Sequence, residues 1–223
     1  MQERKSKKIF IYFFLLITIS SINNISLNNL KFEKIINIYV SGLNDDENKV
    51  ILEKIKNLNL KNILFMNKQK IIETLNSNTI IENYNVNKKY PSSIEIKITK
   101  TKLLAKINID EEIFIIGSNS KLLLNKNKNI DLPFIFGKPE IDEFLNFKQI
   151  IDESKLSYKL IDDFYFFPSK RWDLKLKNNI LIKLPKNSVE EALANANKFL
   201  ENYKVNKFTI VDLRVNNQII LNE

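Results

Sequence analysis

The sequence predicts an α+β protein: one apolar N-terminal helix, then two modules in which short strands and helices share cores. Three observations carry this. A basic stretch, Arg4, Lys5, Lys7 and Lys8, precedes the apolar run Ile9 to Ile22. Further on, Val50, Ile51, Leu52, Ile55 and Leu58 recur at helical spacing, whereas Ile94, Ile96 and Ile98 alternate strictly with polar residues. These are the two periods of a half-buried helix and a half-buried strand. Finally, turn-forming residues such as Ser41-Gly42, Tyr90-Pro91 and Asn178-Asn179 punctuate the runs at short spacing.

In the N-terminal run only Thr18, Ser20 and Ser21 are not apolar. A basic start followed by an apolar core directs a chain to the secretory machinery. The run alone is short of the ~20 residues that span a bilayer. Extended to Leu30 it reaches about 33 Å of helix, at the cost of including Asn23, Asn24, Asn28 and Asn29. Read as a cleaved signal, it offers Thr18 and Ser20 as loose small-residue positions and no A-x-A. Read as a retained anchor, residues 9–30 span the membrane. Residues 1–8 then stay cytoplasmic, because positive charge is held inside. Either way the remainder lies outside.

Composition removes whole classes of chemistry. The 223 residues contain no His and no Cys, so Ser-His-Asp and Cys-His nucleophiles, imidazole or thiolate metal sites and disulfides are all excluded. Only 3 Gly are present, too few for a glycine-rich phosphate cradle. No cofactor is expected. The net charge of +9 could suit nucleic acid. The lysines are scattered, however, without a basic stripe interleaved with aromatics, and AT-rich compositional drift accounts for them. Neither nucleic acid nor a small-molecule substrate is therefore expected as a partner.

The first module covers residues 33–101. Ile35, Ile36, Ile38 and Val40 form a strand closed at Gly42; Asp45-Asp46-Glu47 open a helix, where acidic side chains favour the dipole. Asn67 caps a second helix carrying Ile71, Ile72 and Leu75. Strands follow at Ile80–Val86 and Ile94–Thr99. The order is β-α-α-β-β, with both helices on one face of a three-stranded sheet.

The second module, residues 102–223, has strand-like runs at Leu103–Ile109, Glu112–Ile116 and Lys121–Leu124. After Asp131-Leu132-Pro133-Phe134 and Gly137 comes a helix with Ile141, Phe144, Leu145, Lys148 and Ile151 on one face. Strands over 158–167, from Arg171-Trp172-Asp173-Leu174, and over 180–184 follow. Ser188 and Glu191 mark a capping box at the start of a second helix. Phe208–Leu213 and Gln218–Leu221 are the last strands. The module is predicted as a mostly antiparallel β domain with two helices.

Two series of residues carry a resemblance. Ile38-Tyr39-Val40-Ser41-Gly42, the helix pair, and Val86 through Lys88-Lys89-Tyr90-Pro91 to Ile94-Glu95-Ile96 resemble the POTRA domain of FtsQ type, whose outline also occurs in outer-membrane assembly factors. Arg171-Trp172-Asp173-Leu174, then a helix, then Val211-Asp212-Leu213-Arg214, is similar to the second domain of the FtsQ/DivIB family of bacterial cell-division proteins. The resemblance implies a retained anchor and a single-pass type II protein of the inner membrane, with its bulk in the periplasm at the division septum. It also implies a non-catalytic scaffold that binds FtsB and FtsL and helps control septal peptidoglycan synthesis, with other division proteins meeting the POTRA domain. The competing expectation is a periplasmic POTRA-containing assembly or translocation factor.

The candidate sites follow. Gln218, Ile219, Ile220 and Leu221 form a terminal strand whose unpaired backbone groups would accept a partner strand; the resemblance makes that partner FtsB. Ile94–Thr99 is a second candidate edge. Gly42, Pro91, Arg171, Trp172, Asp173, Asp212 and Arg214 are motif positions expected to hold the fold, the Asp and Arg residues pairing between adjacent strands and Trp172 filling core. The adjacent carboxylates Asp45-Asp46, Glu111-Glu112 and Asp162-Asp163 are expected to be structural: neighbours on a strand point to opposite faces.

Overall fold

The structure, a computed structural model, describes residues 3–22, 34–125, 130–202, 209–215 and 218–222. Helix α1 (Glu3–Ile22) contributes to neither of the two hydrophobic cores. From Ile9 to Ile19 its large apolar side chains are 47% to 75% exposed. No helix among the described residues is long and apolar enough to cross a membrane; positions 23–30 of the expected span lie outside the described residues.

The first module runs β1 (Asn37–Ser41), α2 (Asp45–Lys56), α3 (Lys68–Asn76), β2 (Ile81–Lys89) and β3 (Ser93–Lys100). Its helix ends follow from their sequences. Asn44 accepts a hydrogen bond from the Glu47 N–H while Glu47 reaches back to the Asn44 N–H, a reciprocal cap. Asn67 accepts from the Gln69 N–H at 2.9 Å and opens α3, as its residue type predicts. Ile51, Ile55, Ile71 and Leu75 from the helices meet Ile94, Ile96 and Ile98 of the sheet in one core. Burying each contributes about 1.5–3 kcal/mol.

The sheet order is β1-β3-β2, with β1 parallel and β2 antiparallel to β3. This corrects one expectation: Ile94–Thr99 belongs to the central strand, hydrogen-bonded on both sides, so it offers no edge. Gly42 ends β1 at φ +109°, where a Cβ would lie 1.8 Å from the Ile98 carbonyl oxygen; glycine alone fits. Pro91 sits in the β2–β3 turn after a cis peptide bond from Tyr90.

The second module comprises β4 (Leu103–Ile109), β5 (Glu112–Gly117), β6 (Leu122–Leu124), β7 (Phe134–Phe136), α4 (Ile141–Glu153), β8 (Ile161–Phe166), β9 (Trp172–Leu176), β10 (Leu181–Lys183), α5 (Val189–Asn202), β11 (Ile210–Asp212) and β12 (Ile220–Asn222). One nine-stranded sheet contains all the strands, in the order β12-β11-β10-β9-β8-β7-β4-β5-β6. Most pairs are antiparallel, as predicted. The parallel pairs are β4–β7, β7–β8 and β10–β11. Parallel neighbours need a crossover; α4 supplies it between β7 and β8, and α5 between β10 and β11.

Both helices pack on the same face. There Phe144, Phe147, Ile151, Leu193, Ala196 and Phe199 meet Ile135, Phe164, Trp172, Leu174, Ile182 and Val211. Trp172 is buried at the centre, stacked on Phe147 with ring centroids 4.7 Å apart and planes 6° from parallel. Among the described residues the other face of the sheet carries no helix. Residues Thr101 and Lys102 join the modules.

Candidate functional site

Strand β12 ends the large sheet. It pairs with β11 on one side, Ile210 opposite Asn222, Val211 opposite Leu221 and Asp212 opposite Ile220, and among the described residues no strand lies beyond it. Leu221 turns inward and packs half-buried on the core. Ile220 points to the helix-free face and is 48% exposed. The Gln218 N–H donates to the Val215 carbonyl at 3.2 Å. Gln218 and Ile219 precede the strand, and pairing runs from Ile220 to Asn222.

Directly opposed residues on neighbouring strands share a face. The register therefore lays Asp173, Lys183, Asp212 and Ile220 in one row across β9, β10, β11 and β12. Two guanidiniums frame the row. Arg171 Nε donates to Asp173 at 3.2 Å, and the Leu184 N–H donates to the same carboxylate at 3.3 Å. Arg214 donates to Asp212 through Nε at 2.9 Å and through its terminal nitrogen at 2.6 Å. The ion pairs thus join each strand's Asp to an Arg just outside that same strand, two residues away, rather than linking adjacent strands as predicted. The reason is topological: β10 separates β9 from β11.

The two carboxylates differ in setting. Burial pushes Asp173 above the ordinary carboxylate range, with Arg171 pulling it partly back. The hydrogen bond from Arg214 holds Asp212 below that range. Lys183, between them, was not singled out by sequence reasoning. Its signal is parity alone: in Leu181-Ile182-Lys183 the apolar Ile182 faces the core, so Lys183 must face the other way.

The other predicted positions fall elsewhere. Trp172 lies on the opposite, core face of β9, while Gly42 and Pro91 belong to the first module's sheet. The adjacent carboxylates are dispersed. Asp45 and Asp46 lie in the first turn of α2, Glu111 in the β4–β5 turn, and Asp163 near Lys175 at 3.6 Å. Among the described residues no three acidic side chains are grouped to hold a metal. What the site presents is a strand edge with exposed Ile220 beside the Asp212–Arg214 pair and Lys183, while Asp173 lies buried behind them.

A β-α-α-β-β module joined to a sheet backed by two helices defines an α+β protein of POTRA class. The matches to known families give its place. Residues 33–100 match the POTRA domain of FtsQ type, and residues 105–214 match the C-terminal region of cell division protein FtsQ/DivIB. The chain belongs to the FtsQ/DivIB family. It is 27% identical over 190 residues to cell division protein FtsQ of Rickettsia bellii, covering 77% of this chain and 67% of that one. To the FtsQ of Rickettsia conorii it is 28% identical, covering 83% and 70%. The solved extracytoplasmic domain of Geobacillus stearothermophilus DivIB overlaps with a TM-score of 0.35 at 14% identity, across 48% of this chain and 99% of that one.

Proposed function

We propose that this chain is a non-catalytic scaffold of the bacterial cell-division machinery. In this reading the segment from residue 9 to about 30 holds it in the inner membrane with residues 1–8 in the cytoplasm. Its two modules then stand in the periplasm at the septum. FtsB, with FtsL, binds by adding a strand to β12, and septal peptidoglycan synthesis is controlled through that complex. The relatives' names support the division role. The observation that carries the binding mode is the unpaired outer edge of β12 beside the exposed Ile220.

Strand addition takes affinity from main-chain hydrogen bonds and specificity from alternate side chains. Tethering both partners to one membrane raises their effective concentration, so a short strand suffices. The assembly-factor alternative rests on the POTRA module alone; the match over residues 105–214 favours the division family.

The test is a pull-down of residues 31–223 with the periplasmic part of FtsB from the same organism, comparing wild type with Ile220→Lys and with deletion of residues 218–223. Ile220 faces away from the core, so the lysine leaves the circular dichroism unchanged while FtsB binding falls by at least tenfold. Undiminished binding in both variants would sink the β12 site.

A further inference from the structure

The two ends of the first module differ in chemistry, and the chain's path gives that difference a direction. In this sheet β1 and β3 run parallel from Asn37 and Ser93 towards Ser41 and Lys97, while β2 runs back and ends at Lys89 opposite Ser93. The start of β1, the β2–β3 turn and the loop between α2 and α3 therefore gather at one pole. Lys34 pairs with Asn62 and the Ile35 N–H donates to the Lys61 carbonyl, which pins that loop there. The opposite pole carries Gly42, the start of α2, the end of β3 and the connection to the second module.

The pole remote from the second module is apolar and basic. Ile36 is 66% exposed, Leu64 47%, Phe65 70% and Tyr90 66%. Around them stand the exposed Lys34, Lys54, Lys56, Lys61 and Lys68. Among the described residues the acids near it are Glu53 and Glu95, the second paired with Lys89 at 2.9 Å. At the other pole Asp45, Asp46, Glu47 and Glu82 gather; Lys49 and Lys100 there are engaged by Asp46 and Glu47, Lys121 by the Asn76 and Asn78 carbonyls, and Lys102 lies in the connection. The fold thus gathers acids at one pole and exposed lysines around apolar side chains at the other.

On the membrane-anchor reading above, the span runs to about residue 30 and the module begins at Lys34, so positions 31–33 bridge at most about 14 Å, and Lys34 lies at the basic pole. Resting on that reading, we infer that this pole lies against the membrane surface. Ile36, Leu64, Phe65 and Tyr90 enter the headgroup layer, and the lysines bind anionic lipid phosphates. Aromatic rings favour that layer, and basic clusters beside a membrane span bind anionic lipid. The module is thereby oriented with its acidic pole and the second module pointing away from the bilayer.

The test uses the full chain in phosphatidylcholine vesicles with and without phosphatidylglycerol, with brominated lipid as a fluorescence quencher. Tyr90→Trp reports the basic pole, Asp46→Trp the other, and the buried native Trp172 is the internal reference. Quenching severalfold greater for Tyr90→Trp than for the parent chain or Asp46→Trp, and greater with phosphatidylglycerol, is the expected result. Equal quenching at both poles, or none at either while alkaline carbonate leaves the chain in the vesicles, would overturn the docking and leave the anchor standing. Release of the chain by carbonate would overturn both.

A second arm needs no helix. Both cores lie within residues 34–223, so that fragment keeps its fold. It should sediment with phosphatidylglycerol vesicles, and Lys61→Glu with Lys68→Glu should weaken this about tenfold or more. Unchanged sedimentation would count against the pole.

Discussion

Asp212 and Asp173 stand on one face of one sheet, and their surroundings shift them in opposite directions from the ordinary carboxylate range. Asp212, held low by Arg214, binds fewer protons folded than unfolded. Its contribution to stability is therefore present above the ordinary carboxylate range and is lost as pH falls through its lowered value. Asp173, raised by burial, binds more protons folded, so its contribution declines as pH rises through its raised value. With Arg214 partly exposed, the Asp212 pair contributes on the order of 1 kcal/mol or less. Asp212→Asn should lower the melting temperature at neutral pH by roughly 1–3 °C. The gap to wild type should close as pH drops below about 4. A gap constant from pH 7 to pH 3 would show that charge is not what Asp212 supplies. Asp173→Asn should remove the opposite slope.

At the scale of elements, the first module was the more legible half. Its strands and helices are long enough to show their period, and its caps, Asn44 with Glu47 and Asn67, are residue types that declare themselves. The central place of β3 was not legible, because alternation reports which face is buried and not which neighbours flank a strand. In the second module several strands have only three residues, too short for a period, and their order depends on crossovers made by α4 and α5. The face of α4 shows the same limit. Ile141, Phe144, Leu145, Lys148 and Ile151 were the predicted stripe, and Lys148 does lie at its margin, over the Tyr158 ring at 4.4 Å and paired with Asp152. The stripe's true centre includes Phe147, which is absent from the predicted stripe. Phe147 is buried and stacked on Trp172, so its ring joins helix to sheet. Phe147→Ala should cost about 3–5 kcal/mol. Urea unfolding followed through Trp172, the chain's one tryptophan, reports this directly. A loss under 1 kcal/mol would mean that α4 docks without that stack.

For the whole molecule the question is whether two modules on a two-residue connection behave as one body. The β5–β6 turn answers by reaching onto the first module. The Asn119 side-chain amide donates to the carbonyls of Thr79 and Ile81 at 2.9 and 2.8 Å. Lys121 Nζ donates to those of Asn76 and Asn78 at 2.5 and 3.2 Å, where the end of α3 leaves acceptors unused. Ser118 Oγ donates to Glu82 at 2.6 Å. Its single hydrogen is thereby committed, so the Thr101 hydroxyl, 3.2 Å away, must be the donor to Ser118. Thr101 Oγ1 then accepts from the Asn119 N–H at 3.3 Å. This chain runs through the buried connecting residue itself, and breaking it at one point leaves polar groups unpaired at the next. Asn119→Ala with Lys121→Ala should therefore uncouple the modules. In wild type, Trp172 fluorescence, which sees only the second module, and far-ultraviolet circular dichroism, which sees both, should report one coincident unfolding transition. In the double variant they should separate, with part of the dichroism change occurring at lower denaturant. Two transitions already present in wild type would show that the turn touches the first module without coupling it. Coincidence would make the distance from the basic pole to β12 a fixed length, set by the fold and measured from the membrane.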